Sequence, residues 1–146
     1  MTDEILTETQ VVVPGTATTK DDAIREAGAV LVKAGKVTQA YVDAMFDRET
    51  SVSTYMGNFL AIPHGTNEAK DAILHSGLSV VKYDQPIDWN GNPVRFVVGI
   101  AGVGDEHLGI LSKIAILFSE EDSVEALLTA STSAELYAQL EGVNEE

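Results

Sequence analysis

The sequence has no cysteine. Disulfides, zinc–thiolate centres and cysteine nucleophiles are therefore excluded. Basic residues are scarce: 9 Lys and Arg stand against 23 Asp and Glu, a formal charge of −14. A nucleic-acid partner demands a basic patch for its phosphates, so the balance argues against one. It argues equally against docking on an anionic membrane. No apolar run approaches the roughly 18 residues of a membrane span. The acidic opening MTDEILTETQ lacks the apolar stretch of a secretory signal. A cytoplasmic chain with no direct membrane insertion is the expectation. Also missing are a G-x-x-x-x-G-K loop for a nucleoside triphosphate and an H-E-x-x-H helix for zinc. No cofactor and no metal site are expected. Histidine is rare too, limited to His64, His75 and His107.

What is present suits a globular protein. The chain has 146 residues, 45% of them hydrophobic, enough for one domain with a real core. One domain over 1–146 is expected, with the polar stretches 1–8 and 142–146 as ragged ends. Residues 9–13 read as a strand ended by Pro14-Gly15. Residues 19–34 read as a helix, with Thr19 as N-cap, Asp22 at the capping-box position and Gly35 just past its end. Its inward face is Ile24, Ala27, Val30 and Leu31. A second helix is predicted from Thr38 to about Asp47, with Tyr41, Val42, Met45 and Phe46 inward, then a loop over SVSTYMGN.

Residues 59–62 read as a short strand, and Thr66 can cap a short helix over 67–73. Two β-branched runs, 77–83 and 94–102, read as strands around a turn-rich segment, DQPIDWNGNP. The remainder reads as three helices. The first carries Leu108, Leu111, Ile114, Ala115 and Phe118 on one side, the second is capped by Asp122, and the third by Thr132. The order is β-α-α-β-α-β-β-α-α-α. A layered α/β domain with a mixed sheet fits it best.

Two histidines occupy similar places. His64, in FLAIPHGTN, follows a predicted strand and precedes a helix start. Ligands of α/β proteins commonly sit beyond the carboxyl ends of strands. Pro63 stiffens the approach, Gly65 lets another molecule come near the backbone, and N–H groups of GTNEA could hold an anion. His107, in GVGDEHLGIL, likewise stands at a strand end, beside glycines, in the first turn of a helix. The two could meet across a crevice, or each could be an ordinary turn or surface residue. His75 closes the short helix, where an imidazole complements the dipole. Arg48, in MFDRETS, could grip a phosphate or pair with Asp47 or Glu49.

Two imidazoles, a guanidinium and no metal motif suit phosphoryl transfer on histidine. A neutral imidazole is nucleophilic near neutrality. The transferred group then needs only positioning and donors for its oxygens. A metal-dependent hydrolase using His64, His107 and Asp105 is a rival arrangement.

The stretch Glu49-x6-Met56-Gly57-x2-Leu60-Ala61-Ile62-Pro63-His64-Gly65 resembles a known motif. It is the phosphorylation site of the mannitol/fructose class of enzyme IIA, from the bacterial phosphoenolpyruvate-dependent sugar phosphotransferase system. GIAGVGDEHLGILSKIAILFS is similar to the segment carrying that family's second histidine. The resemblance runs from about residue 6 to residue 141 and leans to the mannitol branch.

It implies a mixed five-stranded sheet flanked by helices on both faces. It implies that His64 is phosphorylated through Nε2, that His107 steadies the phosphoryl group, and that Arg48 reaches the same pocket. The implied donor is the phosphocarrier HPr, and the implied acceptor is a cysteine of enzyme IIB. With no cysteine here, IIB is expected on a separate polypeptide. HPr of this family presents basic residues, so the acidic balance would speed encounter. A regulatory IIA-like module, acting through a kinase, transporter or transcription factor, is the alternative output.

Overall fold

The computed structural model describes residues 6–51, 53–65, 71–102 and 106–140. After a 3-10 turn at Glu8–Gln10 come β1 (Val11–Val12), α1 (Lys20–Lys33), α2 (Gln39–Ser51), β2 (Tyr55–Gly57) and β3 (Leu60–Ala61). β4 (Gly77–Trp89), β5 (Asn92–Ala101), α3 (Glu106–Leu117), α4 (Glu121–Leu128) and α5 (Ser133–Leu140) complete the described chain. The strands form one sheet in the order β1-β4-β5-β3-β2. β1 runs parallel to β4 and β3 parallel to β5, while β4–β5 and β2–β3 are antiparallel. The sheet is therefore mixed and five-stranded, as the resemblance implies.

Alternation along the strands feeds two cores. Leu78 and Val80 of β4, with Phe96, Val98 and Ile100 of β5, pack with Ile110, Ile114, Leu127 and Leu136 of the last three helices. Val81 and Tyr83, with Val97 and Ala101, pack with Ala23, Ile24, Ala27 and Leu31 of α1 and Tyr41 and Met45 of α2. Helices thus cover both faces. Each fully buried Val, Leu, Ile, Phe or Met side chain among them stabilises the fold by roughly 1.5–3 kcal/mol. The Phe96 and Phe118 rings meet edge to face, 5.2 Å between centroids, and tie the end of α3 to the sheet.

Local chemistry sets the boundaries where the sequence was explicit. Thr19 Oγ1 accepts the Asp22 N–H at 3.2 Å, the expected N-cap. At the other end of α1, Lys36 N–H reaches Leu31 O and Gly35 N–H reaches Val32 O, both at 3.0 Å. That is a Schellman closure, and it puts Gly35 at a φ of 77°, a conformation suited to glycine. Thr132 caps α5 through the Glu135 N–H at 3.1 Å.

Other boundaries correct the sequence reading. α2 does not stop near Asp47 but continues to Ser51, placing Arg48 and Glu49 inside the helix. The expected loop SVSTYMGN contains β2, three residues paired to β3 across a turn in which Asn58 and Phe59 both have positive φ. Phe59 therefore lies in a turn, and the strand shrinks to Leu60–Ala61. β4 runs through the turn-rich segment as far as Trp89, absorbing Pro86 at an irregularity between Lys82 and Ile87. The hairpin turns only at Asn90-Gly91.

Asp122 is not a cap: Glu120 precedes α4 and Asp122 lies within it. Ala115 is exposed, and Ile110 takes an inward place. Leu6 is fully buried, so the expected ragged start does not reach it. Residues 1–5, 141–146, Thr66 and most of the expected helix 67–73 lie outside the described residues.

Candidate functional site

β3 lays its residues along β5, Leu60 opposite Phe96 and Ala61 opposite Val97. The contact continues past the strand end. The Ile100 N–H donates to Pro63 O at 3.1 Å, and His64 bridges Ile100 in parallel register. The backbone of His64 is thus fixed at the carboxyl end of the sheet, beside the last residues of β5. Pro63 is buried and His64 half-buried. Its Nδ1 stands 2.8 Å from Ile62 O. A carbonyl only accepts, so this bond requires the proton on Nδ1. In the neutral ring the lone pair then resides on Nε2.

Gly65 explains why the turn needs glycine. A Cβ there would lie 2.6 Å from Cε1 of Tyr41. The Gly65 N–H donates to Tyr41 Oη at 2.9 Å, and that hydroxyl donates to Ile100 O at 2.6 Å. This corrects one expectation: the Gly65 amide is engaged by the phenol and is not open to an anion. The other residues of that stretch lie outside the described residues. Burial raises the pKa of Tyr41, against a smaller lowering from the Gly65 hydrogen bond. The hydroxyl therefore keeps its proton at neutral pH.

A second network lies further along α2. Glu49 is only 6% exposed. Its Oε2 accepts from Thr54 N and Trp89 Nε1, each at 3.0 Å, and Oε1 accepts from Thr54 Oγ1. The Thr54 carbonyl in turn accepts the Ile62 N–H at 3.1 Å. A hydrogen-bonded chain thus runs from the Glu49 carboxylate through Thr54 and Ile62 to the imidazole of His64. Arg48, beside Glu49, is half-buried. It lies seven residues after Tyr41, on the same face and about 10 Å along the helix axis.

His107 stands at the second position of α3, the helix that follows β5. Its side chain and residues 103–105, including Asp105, lie outside the described part, so the expected meeting of His64 with His107 does too. His75 is exposed, and its N–H donates to Lys36 O at 3.0 Å. Among the described residues no group of three His, Asp or Glu side chains gathers to hold a metal, and no helix is long and apolar enough to cross a membrane. Sequence reasoning missed two parts of this site. It read Tyr41 as a core residue, and it treated Glu49 as an ion-pair partner and the first letter of a motif.

Comparison with known proteins bears on the family and the fold. Residues 4–143 match the family described as "Phosphoenolpyruvate-dependent sugar phosphotransferase system, EIIA 2". The mannitol-specific phosphotransferase enzyme IIA component of Halalkalibacterium halodurans is 54% identical over 145 residues, covering 99% of this chain and 100% of the relative. The fold superposes on enzyme IIAMTL of Escherichia coli, solved by NMR in complex with phosphorylated enzyme IIBMTL, with a TM-score of 0.86. That pair is 35% identical, covering 94% of this chain and 97% of the other. Nitrogen regulatory protein IIA-Ntr of Neisseria meningitidis gives 0.80 at 29% identity, covering 93% and 96%. A family match over almost the whole length, with a relative more than half identical, decides the matter: this chain is a phosphotransferase component and belongs to the EIIA 2 family of the phosphoenolpyruvate-dependent sugar phosphotransferase system.

Proposed function

We propose that this protein is a single-domain, cytoplasmic phosphocarrier of a mannitol-type uptake system, relaying a phosphoryl group from HPr through His64 to a cysteine of a separate enzyme IIB. The observation that carries the reading is the 2.8 Å bond from His64 Nδ1 to Ile62 O, on a half-buried ring at the sheet's carboxyl end. It leaves Nε2 with the lone pair. In the first step Nε2 attacks phosphorus, the bond from the donor's histidine nitrogen to phosphorus breaks, and its electron pair returns to the donor ring. Nδ1 keeps its proton, and the Ile62 carbonyl that accepts it stabilises the positive ring that forms. In the second step a thiolate sulfur takes the phosphoryl group, and the Nε2–phosphorus pair returns to His64. Charge on the transferring oxygens calls for donors. Arg48, reaching back along the Tyr41 face of α2, and His107, from the first turn of α3, supply them.

The mannitol assignment is supported by the 54% identity to a mannitol-specific relative, and the IIB partner by the Escherichia coli complex. The regulatory alternative draws on the fold shared with IIA-Ntr, at the lower identity of 29%. Incubation with phosphoenolpyruvate, enzyme I and HPr tests the reading. Intact mass should rise by one phosphoryl group, and His64→Ala should gain none. An acid-labile adduct persisting in that variant would remove His64 from its role. Adding mannitol-type IIB should discharge the phosphoprotein; retention of the group points to the regulatory output. His107→Gln should slow transfer about 100-fold, the usual cost of one transition-state donor. A normal rate would take His107 out of the mechanism.

A further inference from the structure

Tyr41 belongs to the helix layer, yet its hydroxyl ends in the site. It bridges two backbone groups that approach His64 from different elements: Gly65 N–H, in the turn, and Ile100 O, on β5. The residue is 3% exposed, so solvent offers little substitute for either bond. The ring lies flush against Gly65, where an added Cβ would come within 2.6 Å of Cε1 and 3.0 Å of both Cδ1 and Cζ. The hydroxyl donates to the carbonyl and accepts from the amide, so both directions of the bridge are used. His64 lies between the two tied points: it precedes Gly65 in the chain and bridges Ile100 across the strands.

We propose that Tyr41 is a positioning residue for phosphoryl transfer, locking the His64–Gly65 turn onto the end of β5 so that Nδ1 keeps its hydrogen bond to Ile62 O and Nε2 keeps the lone pair. The proposal rests on His64 being the phosphoryl acceptor. Its physical basis is that in-line transfer tolerates little misplacement. An error near 1 Å commonly costs on the order of a hundredfold in rate. The backbone hydrogen bond from the Ile100 N–H to Pro63 O holds the turn before His64. Without the phenol, the amide of Gly65 and the carbonyl of Ile100 both lose the hydroxyl that joins them, and the His64–Gly65 turn is held less tightly.

Tyr41→Phe tests this, because it keeps the ring against Gly65 and deletes one atom. Transfer from phospho-HPr should slow about tenfold in kcat with KM unchanged, since no surface offered to the donor is altered. In the unphosphorylated protein, nitrogen NMR should find wild-type His64 in one tautomer, protonated on Nδ1. Tyr41→Phe should give a mixture, with the Gly65 amide proton shifted upfield. A merely structural tyrosine would lower the melting temperature and leave the tautomer ratio and kcat untouched; that result overturns the proposal.

Should the variant fail to fold, protein carrying 3-fluorotyrosine keeps ring and hydroxyl but weakens the oxygen as an acceptor. It should shift the same amide and slow the same step, and an unmoved rate overturns the proposal equally. Wild-type protein that takes no phosphoryl group from phospho-HPr would sink the reading of His64 instead. The tautomer measurement would still judge Tyr41.

Discussion

Two carboxylates on neighbouring helices use the same device for different ends. Glu26, on α1, accepts from Tyr83 Oη at 2.6 Å, Thr16 N at 3.0 Å, Thr16 Oγ1 at 3.1 Å and Ala17 N at 3.2 Å. Glu49, on α2, accepts from Trp89 Nε1, Thr54 N and Thr54 Oγ1. Each pins a loop by a threonine and holds the polar tip of a β4 aromatic. The difference lies in where the pinned loop leads. The loop at Glu26 enters α1. The loop at Glu49 enters β2, and Thr54 O holds the Ile62 N–H, two residues before His64. The burial differs as well, half-buried against 6% exposed. A carboxylate becomes part of a site through the backbone it fixes.

Glu49→Ala should break that comparison hardest. It orphans the Trp89 indole N–H, the Thr54 amide and the Thr54 hydroxyl where water is largely excluded. Each orphaned buried donor costs about 1–3 kcal/mol. Relief of the carboxylate's own desolvation offsets part of that sum. A net loss of about 3 kcal/mol in urea unfolding is expected. The protein that remains folded should also transfer phosphoryl groups more slowly, because Thr54 no longer holds Ile62 firmly. Full transfer activity beside the lost stability would make Glu49 another Glu26, a brace with no bearing on His64.

The sequence made some of this legible and hid the rest for identifiable reasons. The α1 boundaries were readable because Thr19 and Gly35 act within one turn of the ends they set. The position of His64 was readable because an apolar run stopped at Pro63. β2 was not: its three residues are an edge strand, and its turn uses Asn58-Phe59 where the usual cue is Asn-Gly. The far half of β4 was masked by Pro86, which the register irregularity accommodates. Tyr41 carried the spacing of a core residue, and it is one; only its hydroxyl, bonded 24 residues away to Gly65 and 59 residues away to Ile100, belongs to the site. Glu49 was hidden in the same manner, since its role depends on Thr54 and on Trp89, 40 residues distant.

Glu26→Gln should give the smallest effect and sharpen the comparison from the other side. Burial alone would raise the pKa of Glu26, but the hydrogen bonds from Tyr83, Thr16 and Ala17 hold it below the ordinary 4.5. A depressed carboxylate contributes stability that is present above the unfolded-state pKa. That contribution fades as pH falls through the lower folded value. Tyr83 has the opposite sign: burial, then the hydrogen bond and charge of Glu26, push its phenol above the ordinary 10.0. Its contribution is present below that value and is lost as pH rises beyond it.

The glutamine variant removes the charge and keeps one acceptor oxygen. It should cost on the order of 1 kcal/mol near neutrality, discounted because Glu26 is partly solvated. The gap to wild type should close as pH falls from about 4.5, where Glu26 begins to take up a proton in the unfolded chain, through its lower folded value. Urea midpoints of the two proteins across that range measure the gap. Phosphoryl transfer should be unchanged, since the loop that Glu26 holds leads only to α1. A transfer rate that falls with Glu26→Gln as it does with Glu49→Ala would mean that stiffness of the whole α1–α2 layer, rather than the path through Thr54 and Ile62, governs His64.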